Sequence, residues 1–461
     1  MRGYYPFRSI GLVFLLLCIF APGVPGQSRK DKDKAKNLQT LADKAFTQKN
    51  FREAADKYGE AIILVPTNPY SHFRKGFAHF NLQENDEALK EFAIALSQGF
   101  RPLDVYKIRS YILFEQKNYN AALDEVNKAL ALDPRDLTLL KSVGEINLAR
   151  NSYAAALDGF QKAAAIAPQD GDIYYNMARV HFALGDLKSQ VDACGKALAN
   201  GTRFPGETYY LLGDAHQKLR NAAPAIEAYQ KAISSKPDTY QAYRNLSEVF
   251  RSENRFTDAI NISKQGLKVF VNDGNLYTDL SWYYSLAGRP EDAVQAAKAG
   301  ITILPNQYVA YTNLCRAYNE TKEYDQAIIA CNSALRLQPN DGETNYYLGN
   351  AYVGQGKSTE ATKFYTRAVT GLIDYTGKNP AYSDGWYLLG NSYFADRQFD
   401  RAIEAYLKCL SLSPKFVKAR VNLGIVYTRK RNKVAAMEQY NILLPLDASL
   451  AARLKTEIDK L

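Results

Sequence analysis

The side chains able to do chemistry give the first constraint. There are four histidines, His72, His79, His181 and His216. Each stands where related stretches of the chain carry an aromatic residue, which points to packing rather than to proton transfer or metal binding. No His-Glu-x-x-His run, paired Cys-x-x-Cys, glycine-rich phosphate loop or Gly-x-Ser-x-Gly elbow occurs. The acidic residues are scattered as on a solvated helical surface. These readings argue against an enzyme, and no metal or cofactor is expected. Of the five cysteines, Cys18 falls in an N-terminal apolar run and Cys194, Cys315, Cys331 and Cys409 lie beyond it. Cys315 and Cys331 are expected at matching heights on the two helices of one hairpin. In an oxidising compartment they could form a bridge, provided their Cα atoms lie within about 7 Å. Two small apolar side chains at packed positions would read the same way.

The elements that must position these residues follow from a repeat. The stretch from Trp386 runs Leu389, Gly390, Tyr393, Ala402, Tyr406 and Pro414. Units on that pattern start at Ala35, Pro69, Leu103, Leu137, Gly171, Gly206, Tyr240, Gly274, Tyr308, Gly342, Ser383 and Val417. Of the eleven intervals nine are 34 residues, one is 35 and one is 41. Numbered within a unit, position 20 is Ala in every case but Gln190, and position 32 is Pro in seven of the twelve. A helix hairpin needs small residues where its backbones cross, at positions 8 and 20. It needs bulky ones at helical spacing, at positions 4, 11, 17 and 24. It also needs a stop, which Pro supplies by lacking an N–H.

The Trp-x2-Leu-Gly-x2-Tyr, Ala-x3-aromatic and Pro pattern resembles the tetratricopeptide repeat family over residues 35–450, with Tyr406 in place of Phe. That resemblance implies an all-α chain: a right-handed α-solenoid of about twelve helix hairpins spanning 35–447. An insertion near 371–382 would lengthen the second helix of the tenth unit and form a protruding loop. Residues 448–461, with Leu450, Leu454, Ile458 and Leu461 at helical spacing, read as a capping helix.

The resemblance also implies that first helices line a concave groove that binds other proteins as extended peptide segments. Tyr175, Asn176, Tyr210, Asn245, Asn313, Tyr346, Asn350, Tyr387, Asn391 and Asn422 fall on its lining positions. An Asn amide both donates and accepts, so it can pair with an extended backbone, and Tyr adds apolar contact. The pattern is similar to the asparagine ladder of eukaryotic O-linked N-acetylglucosamine transferases, though broken. The two-carboxylate clamp of chaperone-binding members is not matched, because Tyr346 and Leu388 stand where Lys and Asn are needed.

Charge is uneven along the chain. Between Ala405 and Met437 there is no acid, while Lys418, Arg420, Arg429, Lys430, Arg431 and Lys433 concentrate positive charge. An anionic envelope polymer or glycan could dock on such a basic patch. No nucleic acid is expected as a partner.

At the N-terminus, Arg2 and Arg8 precede an apolar run from Ile10 to Ala21, then Pro22, Pro25 and Gly26. This reads as a signal peptide, 1–26, cleaved before Gln27, rather than a transmembrane anchor. Leu17 before Cys18 argues against lipidation. Residues 27–34 read as a flexible charged lead-in. The expectation is thus an exported, periplasmic or secreted scaffold of the cell envelope.

Overall fold

Each repeat folds as two antiparallel helices because its apolar residues recur at helical spacing and its middle carries a turn signal. The computed structural model describes residues 28–100 and 102–461; the leader lies outside them. Among the described residues there are twenty-five helices and no strand. Two compact units divide between Leu184 and Gly185.

The first unit holds the hairpins α1 (Arg29–Thr47) with α2 (Phe51–Leu64), α3 (Pro69–Asn81) with α4 (Asn85–Ser97), α5 (Pro102–Glu115) with α6 (Tyr119–Leu132), and α7 (Leu137–Ala149) with α8 (Tyr153–Ile166), followed by α9 (Gly171–Leu184). The second opens with α10 (Leu187–Ala199). Its hairpins are α11 (Pro205–Lys218) with α12 (Ala222–Ser235), α13 (Tyr240–Ser252) with α14 (Phe256–Val269), α15 (Gly274–Leu286) with α16 (Pro290–Ile303), and α17 (Tyr308–Glu320) with α18 (Tyr324–Leu337). Then come α19 (Gly342–Gly354) with α20 (Ser358–Lys378), α21 (Ser383–Ala395) with α22 (Phe399–Leu412), α23 (Val417–Arg429) with α24 (Lys433–Leu443), and α25 (Ala448–Ile458).

The crossing points behave as the frame requires. All eleven alanines at position 20 are buried to within 1% of full burial, and Gln190 at the twelfth is equally buried, donating to the Leu211 carbonyl at 2.7 Å. Positions 8 and 24 face each other and share one volume. Where position 8 is Gly213 or Gly390, a Cβ would come 2.6 Å from the ring of Tyr229 or Tyr406. Where position 8 is Ser247, its partner is Ser263, with the hydroxyls 3.2 Å apart.

The turn between the two helices has one conformation throughout. Position 15 is left-handed in every unit: only Gly185, Gly288 and Gly356 are glycines there, while Lys49, Gln83, Lys117, Asn151, Arg220, Asn254, Lys322, Arg397 and Arg431 hold φ between 55° and 65°. The turn ends the helix as a Schellman-type cap, for example through Asn50 N–H to the Ala45 carbonyl at 2.9 Å.

Two boundaries differ from the sequence reading. The segment read as a flexible lead-in, from Arg29 to Lys34, is already in α1. Ser28 caps the helix by accepting from the Asp31 N–H, and Ala35 on the same helix is buried. The insertion lengthens α20 to 21 residues, but the expected protruding loop is only the short turn before Ser383. That turn is tied to its neighbours: Trp386 donates to the Pro380 carbonyl at 3.0 Å, and Tyr375 and Tyr382 meet edge to face at 6.2 Å. At the C-terminus, Ala451, Leu454 and Ile458 of α25 are buried in one cluster with Val421, Ala436 and Leu443.

Candidate partner-binding faces

The lining positions of the first helices carry the asparagines and tyrosines singled out from the sequence, and most are committed to bonds within the array. The Tyr406 hydroxyl donates to Asn391 Oδ1 at 2.7 Å, and Asn422 of the following hairpin donates to the same oxygen at 2.8 Å. Tyr365 donates to Asn350 Oδ1 at 2.8 Å. Asn245 donates to the Tyr229 hydroxyl at 3.1 Å. Asn313 is buried and donates to the Thr278 carbonyl at 3.0 Å. In the first unit, Asn176 is buried and accepts from Arg179 at 2.8 Å. The ladder thus ties the ring at position 24 to position 9 of its own hairpin or position 6 of the next. Tyr175 is buried, and Tyr210, Tyr346 and Tyr387 are half-buried.

A charged and aromatic network missed in the sequence occupies the lining positions of the second unit. Arg251 is 9% exposed and Asp384 8%. Arg251 donates to Glu248 at 2.6 and 2.8 Å and to Asp384 at 3.3 Å, and its guanidinium lies 4.7 Å from the Trp282 ring. Burial works against the charge on Arg251, but Glu248 and Asp384 outweigh it and raise its pKa. Burial raises the pKa of Asp384, with Arg251 opposing. Arg316, 8% exposed, donates to the Tyr347 hydroxyl at 2.7 Å and pairs with Glu343. No spacing within a repeat marks this network, because Arg251 and Asp384 are 133 residues apart on different hairpins.

In the first unit position 12 is apolar throughout, and position 9 is aromatic at Phe77 and Tyr111. The rings of Phe46, Phe77, Phe80 and Tyr111 form a file with successive centroids 5.4, 6.1 and 5.6 Å apart. All four are half-buried. Arg74 caps one end, 4.0 Å over Phe46. At the other end Tyr111 and Phe114 line a small cleft with Lys107, Thr138 and Ser142. Aromatic residues at positions 9 and 12 of consecutive units, Phe or Tyr, are the signal that would have found this file.

The basic patch does not hold together. Arg420 is buried, donating to Gln439 at 3.1 Å and to the Pro414 carbonyl at 3.0 Å, so it offers no surface charge. Its burial follows from position 4, a packing position of the frame. Lys430 pairs with Asp400 of the preceding hairpin. Lys418 is exposed yet lies within Coulombic range of Glu320 and Arg316. Arg429, Arg431 and Lys433 stay exposed around the α23–α24 turn.

The remaining candidate residues also sit in packing or pairing roles. His72 lies 2.6 Å from Glu91 and His79 2.7 Å from Glu84, and burial lowers the pKa of His216. Among the described residues no group of three or more His, Cys, Asp or Glu could hold a metal ion. Cys315 and Cys331 are bonded as a disulfide across α17 and α18, with Cα atoms 5.2 Å apart. Cys194 and Cys409 are free and buried, and burial pushes the Cys194 thiol up to about 12. No described helix is long and apolar enough to cross a membrane.

Comparison with known proteins follows the repeats. Three family models, each described as Tetratricopeptide repeat, match residues 383–416, residues 285–343, and residues 40–105, 109–171 and 210–263. The Small glutamine-rich tetratricopeptide repeat-containing protein 2 of Saccharomyces cerevisiae is 35% identical over 74 residues, covering 16% of this chain and 21% of that protein. The match therefore spans about a fifth of the relative's length. Among solved structures, yeast Tom70 aligns over 93% of this chain and 96% of its own, at 15% identity and a TM-score of 0.42. A tetratricopeptide repeat protein from Parabacteroides merdae aligns over 54% and 99%, at 16% identity and 0.39. The MamA protein aligns over 38% and 94%, at 22% identity and 0.33.

Proposed function

The chain belongs to the tetratricopeptide repeat family, and from that premise we propose that it is an exported scaffold holding an extended segment of a partner protein. Proteins of this family bind other proteins, and the fold typically serves as a non-catalytic scaffold. The observation that carries the finer reading is the ring file Phe46, Phe77, Phe80 and Tyr111. Half-buried rings at regular spacing bury apolar side chains of a ligand at small entropic cost, because each ring has few rotamers to lose. Beside the file Lys107 pairs with Asp136 and Ser142 donates to the Thr138 carbonyl at 2.9 Å, so the hydroxyl oxygens of Thr138 and Ser142 are the polar atoms that can orient a backbone. The Asn and Tyr ladder contributes chiefly by fixing the spacing of these positions.

Export is supported by the leader pattern and by the Cys315–Cys331 disulfide, since such bridges persist in oxidising compartments. An envelope location is the setting we assign to the scaffold. A photoreactive amino acid at Phe80, between Phe77 and Tyr111 in the file, activated in intact cells, should capture a discrete partner. Phe77→Ala with Tyr111→Ala should lower capture at least tenfold, the loss expected from removing two central rings. Undiminished capture of the same partner by the double variant would sink the assignment to this file.

A further inference from the structure

We propose that the second unit is clasped shut across its lining face, and that this clasp is a conformational device which must part before a segment can lie along that face. Four contacts carry the proposal, all joining residues distant in sequence. Inside, Arg251 of α13 binds Asp384 at the start of α21, 133 residues away. At the rim, Asn254 in the α13–α14 turn donates to the Lys415 carbonyl at 3.3 Å, and the Lys415 ammonium lies 3.3 Å from Glu253. Arg220 in the α11–α12 turn donates to the Leu412 carbonyl, 192 residues away. A helical array joined only through neighbours makes no such bonds. The hairpins they join are separated by at least the six helices α15 to α20.

The contacts differ in kind. Arg251 is deeply buried, satisfied on both sides by carboxylates and stacked on Trp282. Its removal would leave Asp384 buried and without that partner, the costly way to break such a pair. The rim contacts are exposed, and exposed pairs contribute little each. The arrangement suits a hinge with a firm inner bolt and a weak outer catch. The insertion leads into the bolt's receiving side: the extended α20 and the short turn after it, where Tyr375 meets Tyr382, run into the start of α21, which carries Asp384.

The clasp can be measured without any partner, so its failure is separate from failure of the peptide-binding reading. Spin labels on Ser252→Cys and Ser411→Cys, both exposed and flanking the rim contacts, report the distance across the clasp in the full chain. Cys194 and Cys409 are buried and should escape labelling of the native protein. The wild-type background should give one narrow distance distribution. Arg251→Ala should lengthen and broaden it. Because that variant leaves a buried acid behind and could unfold, Arg220→Ala with Lys415→Glu is the second variant. It removes one rim bond and sets two carboxylates against each other at exposed positions. It should shift the mean distance by more than the wild-type width while far-ultraviolet circular dichroism stays unchanged. A broad distribution in the wild-type background, or an unmoved one in the rim variant, overturns the proposal.

Discussion

Tyr406 is the residue at which packing and polarity meet most tightly. Its ring fills the space left by Gly390, and its hydroxyl donates to Asn391. Asn391→Ala should therefore destabilise by about 1–3 kcal/mol, the cost of leaving a buried hydroxyl unmatched, read as a lower urea midpoint. Tyr406→Phe in the same background should cost less than the sum of the two single changes, because the hydroxyl and its acceptor are lost together. Charge acts more locally. Burial works to raise the Glu125 pKa, but Arg109 and Lys128, each 2.9 Å away, overcome it and hold it below the usual value. A lowered acid stabilises the fold above its unfolded pKa, and that contribution fades as pH falls through the folded pKa. Thermal melts of Glu125→Gln should thus fall less steeply than the wild type as pH drops below about 4.3, the ordinary glutamate value. For Cys315 and Cys331, denatured but unreduced protein should show two reactive thiols within residues 28–461, from Cys194 and Cys409. Four would exclude the bridge. Reduction should cost about 3 kcal/mol, the entropy scale for closing a loop of about 15 residues.

At the scale of the element, the hairpin was largely written in the sequence and the turn was not. Position 20 alanines and closing prolines mark where two helices cross and stop, so the register of nearly every first helix could be read directly. The left-handed residue at position 15 was hidden because lysine and arginine occupy it as readily as glycine. Neither Arg397 nor Arg431 announces a positive φ. Since a Cβ in that conformation costs roughly 1–2 kcal/mol, Arg397→Gly should raise the melting temperature by a few degrees despite removing a side chain. The same substitution one residue earlier, at Asp396, should not. The candidate faces were legible only in part for a related reason. Spacing shows which positions line a face, yet it cannot show that Asn391 and Asn422 share one oxygen, or that Arg420 turns into the core. Those outcomes depend on which neighbour reaches an atom first, and the neighbour lies a repeat away.

At the scale of each whole unit, stability should be uneven. Among the described residues the largest cluster of buried side chains runs from Ala225 to Ala351, and Arg251, Glu248, Trp282, Arg316 and Glu343 of the charged network sit on the same stretch, with only Asp384 beyond it. Amide exchange should be slowest from α13 to α19 and quicken towards α25, whose cluster is much smaller. Equal protection from α13 to α25, measured by mass spectrometry, would contradict that gradient. Leu454→Asp should accelerate exchange in α23 and α24 and leave α15 unchanged, because α25 covers only the last hairpin.

The shared volume at positions 8 and 24 makes the hairpins interchangeable parts. A glycine facing a tyrosine, two serines and a disulfide are three fillings of one socket, found at Gly390 with Tyr406, Ser247 with Ser263 and Cys315 with Cys331. Changing one member alone leaves a hole or a collision; exchanging both is a lateral move. The repeats can thus diverge in surface and partner while their hinges stay in register, provided the two positions drift as a couple. A covalent rivet could then be transplanted: Gly349→Cys with Tyr365→Cys should oxidise in place, whereas either cysteine alone should loosen its hairpin.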